Sequence, residues 1–212
     1  MIINSGKIST CREHTDRARG RAMIRLKSNM PNRNAMFDIG ISGPIAGLVV
    51  TIVVSIYGSA ISATISLEEA QRLFEDGQLF RLNPSLLIMA AMEITDTANA
   101  GEVLVWSPVL YAAWLGSLLT FLNLLPAAQL DGGHIARAAL GPKHHRVLTL
   151  ASVGALFAMF YPTMAALVLF LAIRAPAVQP LDDVTQVSRG RKMLFIIAIL
   201  VAVVCAPLPP YF

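Results

Sequence analysis

The sequence predicts an all-α polytopic membrane protein with four to five transmembrane helices, and three observations lead there. Only 14% of the 212 residues are charged, where a soluble domain carries about a quarter. Apolar residues make up 55% of the chain and gather into long uncharged runs, giving a mean hydropathy of +0.62. Runs of ~20 residues match the hydrocarbon thickness of a bilayer. The charges between the runs are segregated by sign, as in loops on opposite sides of a membrane. A soluble globular enzyme and a disordered chain are both excluded.

Taken in order, residues 1–36 form a basic arm with Lys7, Arg12, Arg17, Arg19, Arg21, Arg25, Lys27 and Arg33 against Glu13 and Asp16. No short apolar stretch with a small-residue cleavage site follows, so the arm is not a signal peptide. Residues 37–58 are the first expected span, with Asp38 at the helix start where a carboxylate favours the dipole. Residues 59–102 are acidic and predict two amphipathic helices, near 67–80 and 84–93. From 103 to 130 there is again no charge, and the second span should end near Leu125 because Pro126 disfavours a helical residue before it. Residues 147–173 are uncharged but interrupted at Tyr161-Pro162, and 193–207 form the last apolar segment.

These runs divide the chain into the arm 1–36, a unit 37–130 holding two spans and the acidic loop 59–102, and a C-terminal unit 131–212. The positive-inside bias expects the arm, the loop with Arg137, Lys143 and Arg146, and the segment with Arg189, Arg191 and Lys192 to be cytoplasmic, and 59–102 to be outside. Both basic ends of 147–173 are inside only if that run goes in and returns as a hairpin; a single tilted span is the alternative. The formal charge of +4 and the pI near 9.4 therefore reflect membrane flanks, and no nucleic-acid partner is expected. Cys11 and Cys205 stand at opposite ends and form neither a disulfide framework nor a cysteine metal site.

The stretch Asn123-Leu-Leu-Pro126-Ala-Ala-Gln129-Leu-Asp131-Gly132-Gly133-His134 concentrates the polar chemistry. An ionisable group at or near membrane depth suggests a functional site by default. Pro126 and the glycine pair imply irregular backbone, tolerated only where it lines a cavity or is buried in protein. Read by itself, Asp131 could equally cap the next helix, with the glycines forming an interfacial turn.

With Asn and Pro at these offsets before Leu-Asp-Gly-Gly-His, the stretch closely resembles the site-2 protease family of intramembrane zinc metalloproteases. Arg25-Leu-Lys-Ser28, Asn32-Arg33 and the run from Phe37 to Gly47 resemble the part after that family's first catalytic helix. Ser107-Pro108 and Trp114-Leu-Gly116 resemble its second catalytic helix, and Pro180-Leu-Asp-Asp-Val-Thr185 with Arg189-Gly-Arg191 resembles the C-terminal region of archaeal-type members. Residues 20–210 are covered. The resemblance implies Asp131 as the third zinc ligand, beside two histidines of a His-Glu-x-x-His helix whose Glu activates water. It also implies Asn123 as a hydrogen-bond donor to the substrate backbone or the developing oxyanion.

One departure is large. The histidines are His14, His134, His144 and His145, and no His-Glu-x-x-His exists in these 212 residues. The expectation is a family member that has lost its N-terminal transmembrane part, through a late start codon or a frameshift, or that is completed by a separate polypeptide carrying that motif. His134 is expected to be a loop histidine, and His144-His145 a basic loop at the membrane surface. Gly43-x-x-x-Gly47 predicts close helix packing, with Pro44 able to kink the helix near a substrate groove.

Two functional readings follow. The first is a site-2-protease-like endopeptidase acting on transmembrane substrates, here in a form predicted inactive alone because its zinc site is incomplete. The second is a non-catalytic pseudoprotease that binds transmembrane helices. Lipid is a partner in both, and both place the chain in the cell membrane. A small transporter is disfavoured, because there are no paired broken helices in two repeated halves.

Overall fold

In the computed structural model, residues 32–97, 101–174 and 187–209 are described. The arm up to residue 31, with Cys11 and His14, and the 180–185 stretch lie outside the described residues.

The first helix, α1 (Arg33–Ala60), is longer than expected and starts earlier, because Asn32 caps it: its Oδ1 accepts from the Ala35 N–H at 2.9 Å. Asp38 therefore sits in the second turn and does not cap the helix. Its carboxylate takes a two-pronged ion pair from Arg191, at 2.8 and 2.7 Å. Pro44 lies within α1, which runs on past it.

Between α1 and the next long helix come β1 (Ala63–Ser66), α2 (Leu67–Glu75), α3 (Leu86–Thr95) and β2 (Glu102–Val105). The strands pair antiparallel with Ala63 opposite Val105 and Ser66 opposite Glu102. This short ribbon is an addition the sequence reading did not expect in a chain that is otherwise mostly helical. Thr64, Ile65, Val103 and Val105 are β-branched and suit a pleated strand, so the charge-free run beginning at 103 opens as strand before it becomes helix. Ser66 caps α2 with Glu69 three residues on, so α2 is a shorter form of the expected helix. In α3, Leu86 to Met92 are all apolar, and the expected amphipathic pattern is absent.

The second long helix, α4 (Pro108–Leu124), starts behind a Ser107 cap and stops two residues before Pro126. It runs back along α1. At one end Ser107 Oγ donates to the Gly58 carbonyl at 2.8 Å, and the Ser107 N–H donates to Ser62 Oγ at 3.0 Å. A Cβ on Gly58 would sit 2.6 Å from the Leu110 nitrogen, and one on Gly116 would sit 2.9 Å from Thr51 Oγ1. Small residues thus let the two backbones touch, which is how helices associate in lipid.

The remainder is α5 (Asp131–Leu140), α6 (Pro142–Ala158), α7 (Pro162–Arg174) and α8 (Arg189–Cys205). α6 and α7 pack on one another across a break in which Phe160 has φ +63°. Tyr161, at that break, donates its hydroxyl to the Leu208 carbonyl beyond the far end of α8 (2.9 Å). At the opposite end, Arg33 Nε donates to the Ala138 carbonyl at 2.8 Å and Arg191 holds Asp38. The basic residues of α1, α5 and α8 therefore meet at one end of the bundle.

An apolar core that includes Phe37, Ile88, Leu110 and Ile135 coexists with small polar residues buried in the helix seams and large apolar residues facing outward. Thr51 and Ser55 are 5% and 0% exposed, while Val53 and Ile196 are 63% and 60% exposed. Exposed apolar residues continue along α6 and α7 through Leu150, Leu167 and Phe170, a surface too large for an aqueous monomer. By length and composition α1 is the one described helix able to cross a membrane; α3, α4 and α7 are shorter apolar helices.

Gly58→Ala should lower stability by ~1–3 kcal/mol through overpacking. Gly154→Ala, whose methyl meets nothing within 4 Å, should be neutral or stabilising by up to ~1 kcal/mol. Unfolding in detergent micelles checks this, and equal effects would contradict the close α1–α4 seam.

Candidate functional site

The site is built where α4 ends and α5 begins. Leu125 precedes Pro126 and is extended, at φ −57° and ψ 130°, which stops α4. The chain then turns through an Ala127 N–H donating to the Leu125 carbonyl (2.7 Å) and a Leu130 N–H donating to the Ala127 carbonyl (3.2 Å). Ala128 takes φ +50°, and Asp131 opens α5.

Gly132 and Gly133 are required by contact. A Cβ on Gly132 would collide with the Leu124 and Leu125 carbonyls, and one on Gly133 with those of Ala127 and Ala128. The first turn of α5 thus lies directly on the linker backbone. Leu124 and Gly132 touch, so the last turn of α4, which carries Asn123, and the first turn of α5, which carries Asp131, meet through their backbones.

Asp131 points to α1: its Oδ2 is 3.6 Å from the Cβ position of Gly43. His134, one turn on, shares that face of α5, with its Cβ 3.5 Å from the Cβ position of Gly40. Both Gly43 and Gly47 meet neighbouring elements, Gly47 at Thr120 Oγ1 (3.6 Å), which gives the glycine pair its packing role. Asp131 is half-buried, and among the described residues no hydrogen bond or ion pair reaches its carboxylate. α5 is too short and too polar to be a span. Burial alone pushes the Asp131 carboxyl above its usual range. Burial, with His145 nearby, holds the His134 imidazole below its usual range. Asn123 lies half-buried in the last turn of α4, and its side chain makes no hydrogen bond among the described residues.

The far end of α5 is held by Arg33, whose guanidinium reaches the Ala138 carbonyl and, at 3.4 Å, that of Arg137, a favourable place for a cation. The expected loop at His144-His145 is corrected, since both lie in the first turn of α6 behind the Pro142 that opens it, and only His144 keeps a surface position. His144 is exposed and bonds the Leu140 carbonyl at 3.0 Å, whereas His145 is 6% exposed and its Nε2 donates to the Ala128 carbonyl at 3.1 Å. The overlooked signal was Thr149 four residues on, which puts two polar side chains on one face of α6.

Tetrahedral zinc sites need at least three protein donors. Among the described residues no group of three His, Cys, Asp or Glu side chains could hold a metal. Asp131 is a suitable single donor, and the donors present do not fit zinc without others.

Residues 10–167 match the family model described as peptidase family M50. The chain is 27% identical over 191 residues to the "Probable zinc metalloprotease EGY1, chloroplastic" of Arabidopsis thaliana, covering 86% of this chain and 34% of that protein. It is 30% identical over 199 residues to the "Probable zinc metalloprotease EGY2, chloroplastic" of Oryza sativa subsp. indica, covering 89% and 35%. The corresponding EGY3 protein of that rice is 30% identical over 144 residues, covering 63% and 24%. The chain spans about a third of the length of the curated relatives it matches. No solved structure matches.

Gly132→Ala and Gly133→Ala should each destabilise the protein by at least ~1–3 kcal/mol and speed amide exchange in 125–135. Gly43→Ala, whose methyl meets Asp131 at ordinary contact distance, should change neither. Hydrogen–deuterium exchange by mass spectrometry checks this, and unaltered exchange in the Gly132 and Gly133 variants would contradict the packed turn.

Proposed function

The chain belongs to peptidase family M50, the site-2 proteases, and from that membership we propose that it provides one half of the active site of an intramembrane zinc metalloendopeptidase cutting transmembrane substrates. The observation that supports this is the half-buried Asp131 carboxylate, unbonded among the described residues and aimed at Gly43 across the α1–α5 seam. Asp131 would be one of three zinc ligands. Asn123, in the last turn of α4, would donate a hydrogen bond to the substrate backbone or the developing oxyanion.

The remaining ligands belong to a His-Glu-x-x-His that these 212 residues do not contain. They would come from a further segment or a separate polypeptide, and the chain by itself hydrolyses nothing. The same gap supports the second reading, a pseudoprotease that binds transmembrane helices without cutting them.

We also read four to five spans, formed by α1, α4, the α6–α7 hairpin and α8. At 1.5 Å per residue the hairpin arms are about 26 and 20 Å long, short for a ~30 Å core. The end where Arg33, Arg137 and Arg191 gather would be cytoplasmic, together with the basic arm and the Leu130-Asp131-Gly132-Gly133-His134 turn.

The purified chain in detergent should hold substoichiometric zinc by elemental analysis and leave a transmembrane peptide uncut. One zinc per chain with cleavage would refute the divided site. Supplied with a family polypeptide bearing His-Glu-x-x-His, it should become active. Asp131→Ala should then cost more than about 100-fold, since even outer partners of metal ligands cost about 10–100-fold. Asn123→Ala should cost about 10²–10³ in kcat. A cellular function indifferent to Asp131→Ala would favour the pseudoprotease.

A further inference from the structure

We infer that His145 and Thr149 of α6 are positioning residues for Asp131, acting through the backbone of Ala128. The significance of this for catalysis rests on the reading of Asp131 as a metal ligand; the geometry does not. Ala128 is the residue in the 125–130 linker with positive φ, at +50°, a conformation that costs a residue with a Cβ and persists only where its surroundings enforce it. Its two backbone polar groups are both met by side chains of α6. The Ala128 N–H donates to Thr149 Oγ1 at 3.2 Å, and the Ala128 carbonyl accepts from His145 Nε2 at 3.1 Å. Thr149 Oγ1 in turn donates its proton to the His145 carbonyl at 2.9 Å, which leaves a lone pair free to face Ala128. Both side chains are buried, at 6% and 7% exposure.

That clamp extends to the carboxylate. The Ala128 carbonyl oxygen fills the space where Gly133 would carry a Cβ, so the first turn of α5 rests on the peptide that α6 grips. Gly133 is two residues from Asp131, and the same turn aims Asp131 at Gly43. If Ala128 relaxes to negative φ, the carbonyl leaves Gly133 and α5 loses one of the backbone contacts that set its rotation. The result is a relay from His145 and Thr149 through Ala128 and the glycines to Asp131, with no contact between either α6 side chain and the reacting atoms required.

Cross-linking in the full chain tests the relay without any metal. In a Cys11→Ser background, Gly43→Cys with Asp131→Cys places two thiols across the α1–α5 seam, within reach of a disulfide under mild oxidation. Gly47→Cys with Thr120→Cys is the control on the α1–α4 seam. His145→Ala and Thr149→Val should each slow the Gly43–Asp131 cross-link by about fivefold or more, the factor matching one ordinary net hydrogen bond, and leave the control rate unchanged. His145→Gln and Thr149→Ser, which keep a donor and an acceptor, should restore it. An unchanged Gly43–Asp131 rate overturns the inference. So does an equal loss at both pairs, which would make these residues supports of the whole bundle. A chain that binds no zinc even when supplied with a polypeptide bearing His-Glu-x-x-His would defeat the proposed function and leave this result standing.

Discussion

Lipid offers no hydrogen bonds, so every backbone group that leaves a helix inside the bundle must be met by the protein itself. The break between α4 and α5 is held by such internal partners. Six residues, 125–130, run between the two helices; Leu125, Ala127 and Leu130 bond through short turns, and both polar groups of Ala128 are met by side chains from α6. The glycine pair then lets α5 lie against that same backbone.

The other polar contacts follow the same rule. Ser55, Ser62 and Thr120 donate back to carbonyls one turn earlier on their own helix or at its end. Ser85 and Ser117 bond each other at 2.9 Å, and Ser117 also reaches the Cys205 carbonyl. Small hydroxyl residues therefore sit in the seams beside buried apolar residues such as Leu110 and Ile135, and further branched residues such as Val53 and Ile196 point outward. This leaves α1 and α4 in close contact and α5 wedged at their end, with Asp131 facing a glycine and, among the described residues, without a hydrogen-bond or ion-pair partner.

Much of this was legible in the sequence, and the failures have physical causes. The end of α4 and the break between α6 and α7 were visible because Pro126 and Pro162 act locally on the residues before them. Asp131 and Asn123 stood out only as part of a pattern, since a lone carboxylate after an apolar helix is as readily a cap. The start of α1 was missed because Asn32 is an inconspicuous cap inside a basic arm. Asp38 was assigned to the dipole because its partner Arg191 is 153 positions away, a distance no local rule spans. The β1–β2 ribbon escaped because its second strand continues without a charge into α4. His145 looked like a surface histidine beside His144, and only the fold shows that the two point to different environments.

A divided metal site is the central claim, and X-ray absorption at the zinc edge addresses it most directly. The sample is the chain assembled with a family polypeptide that carries His-Glu-x-x-His. The account predicts two imidazole nitrogens and one carboxylate oxygen at about 2.0–2.2 Å, with the oxygen signal altered or lost in Asp131→Asn. A zinc spectrum identical in the parent and the Asp131→Asn protein would contradict it.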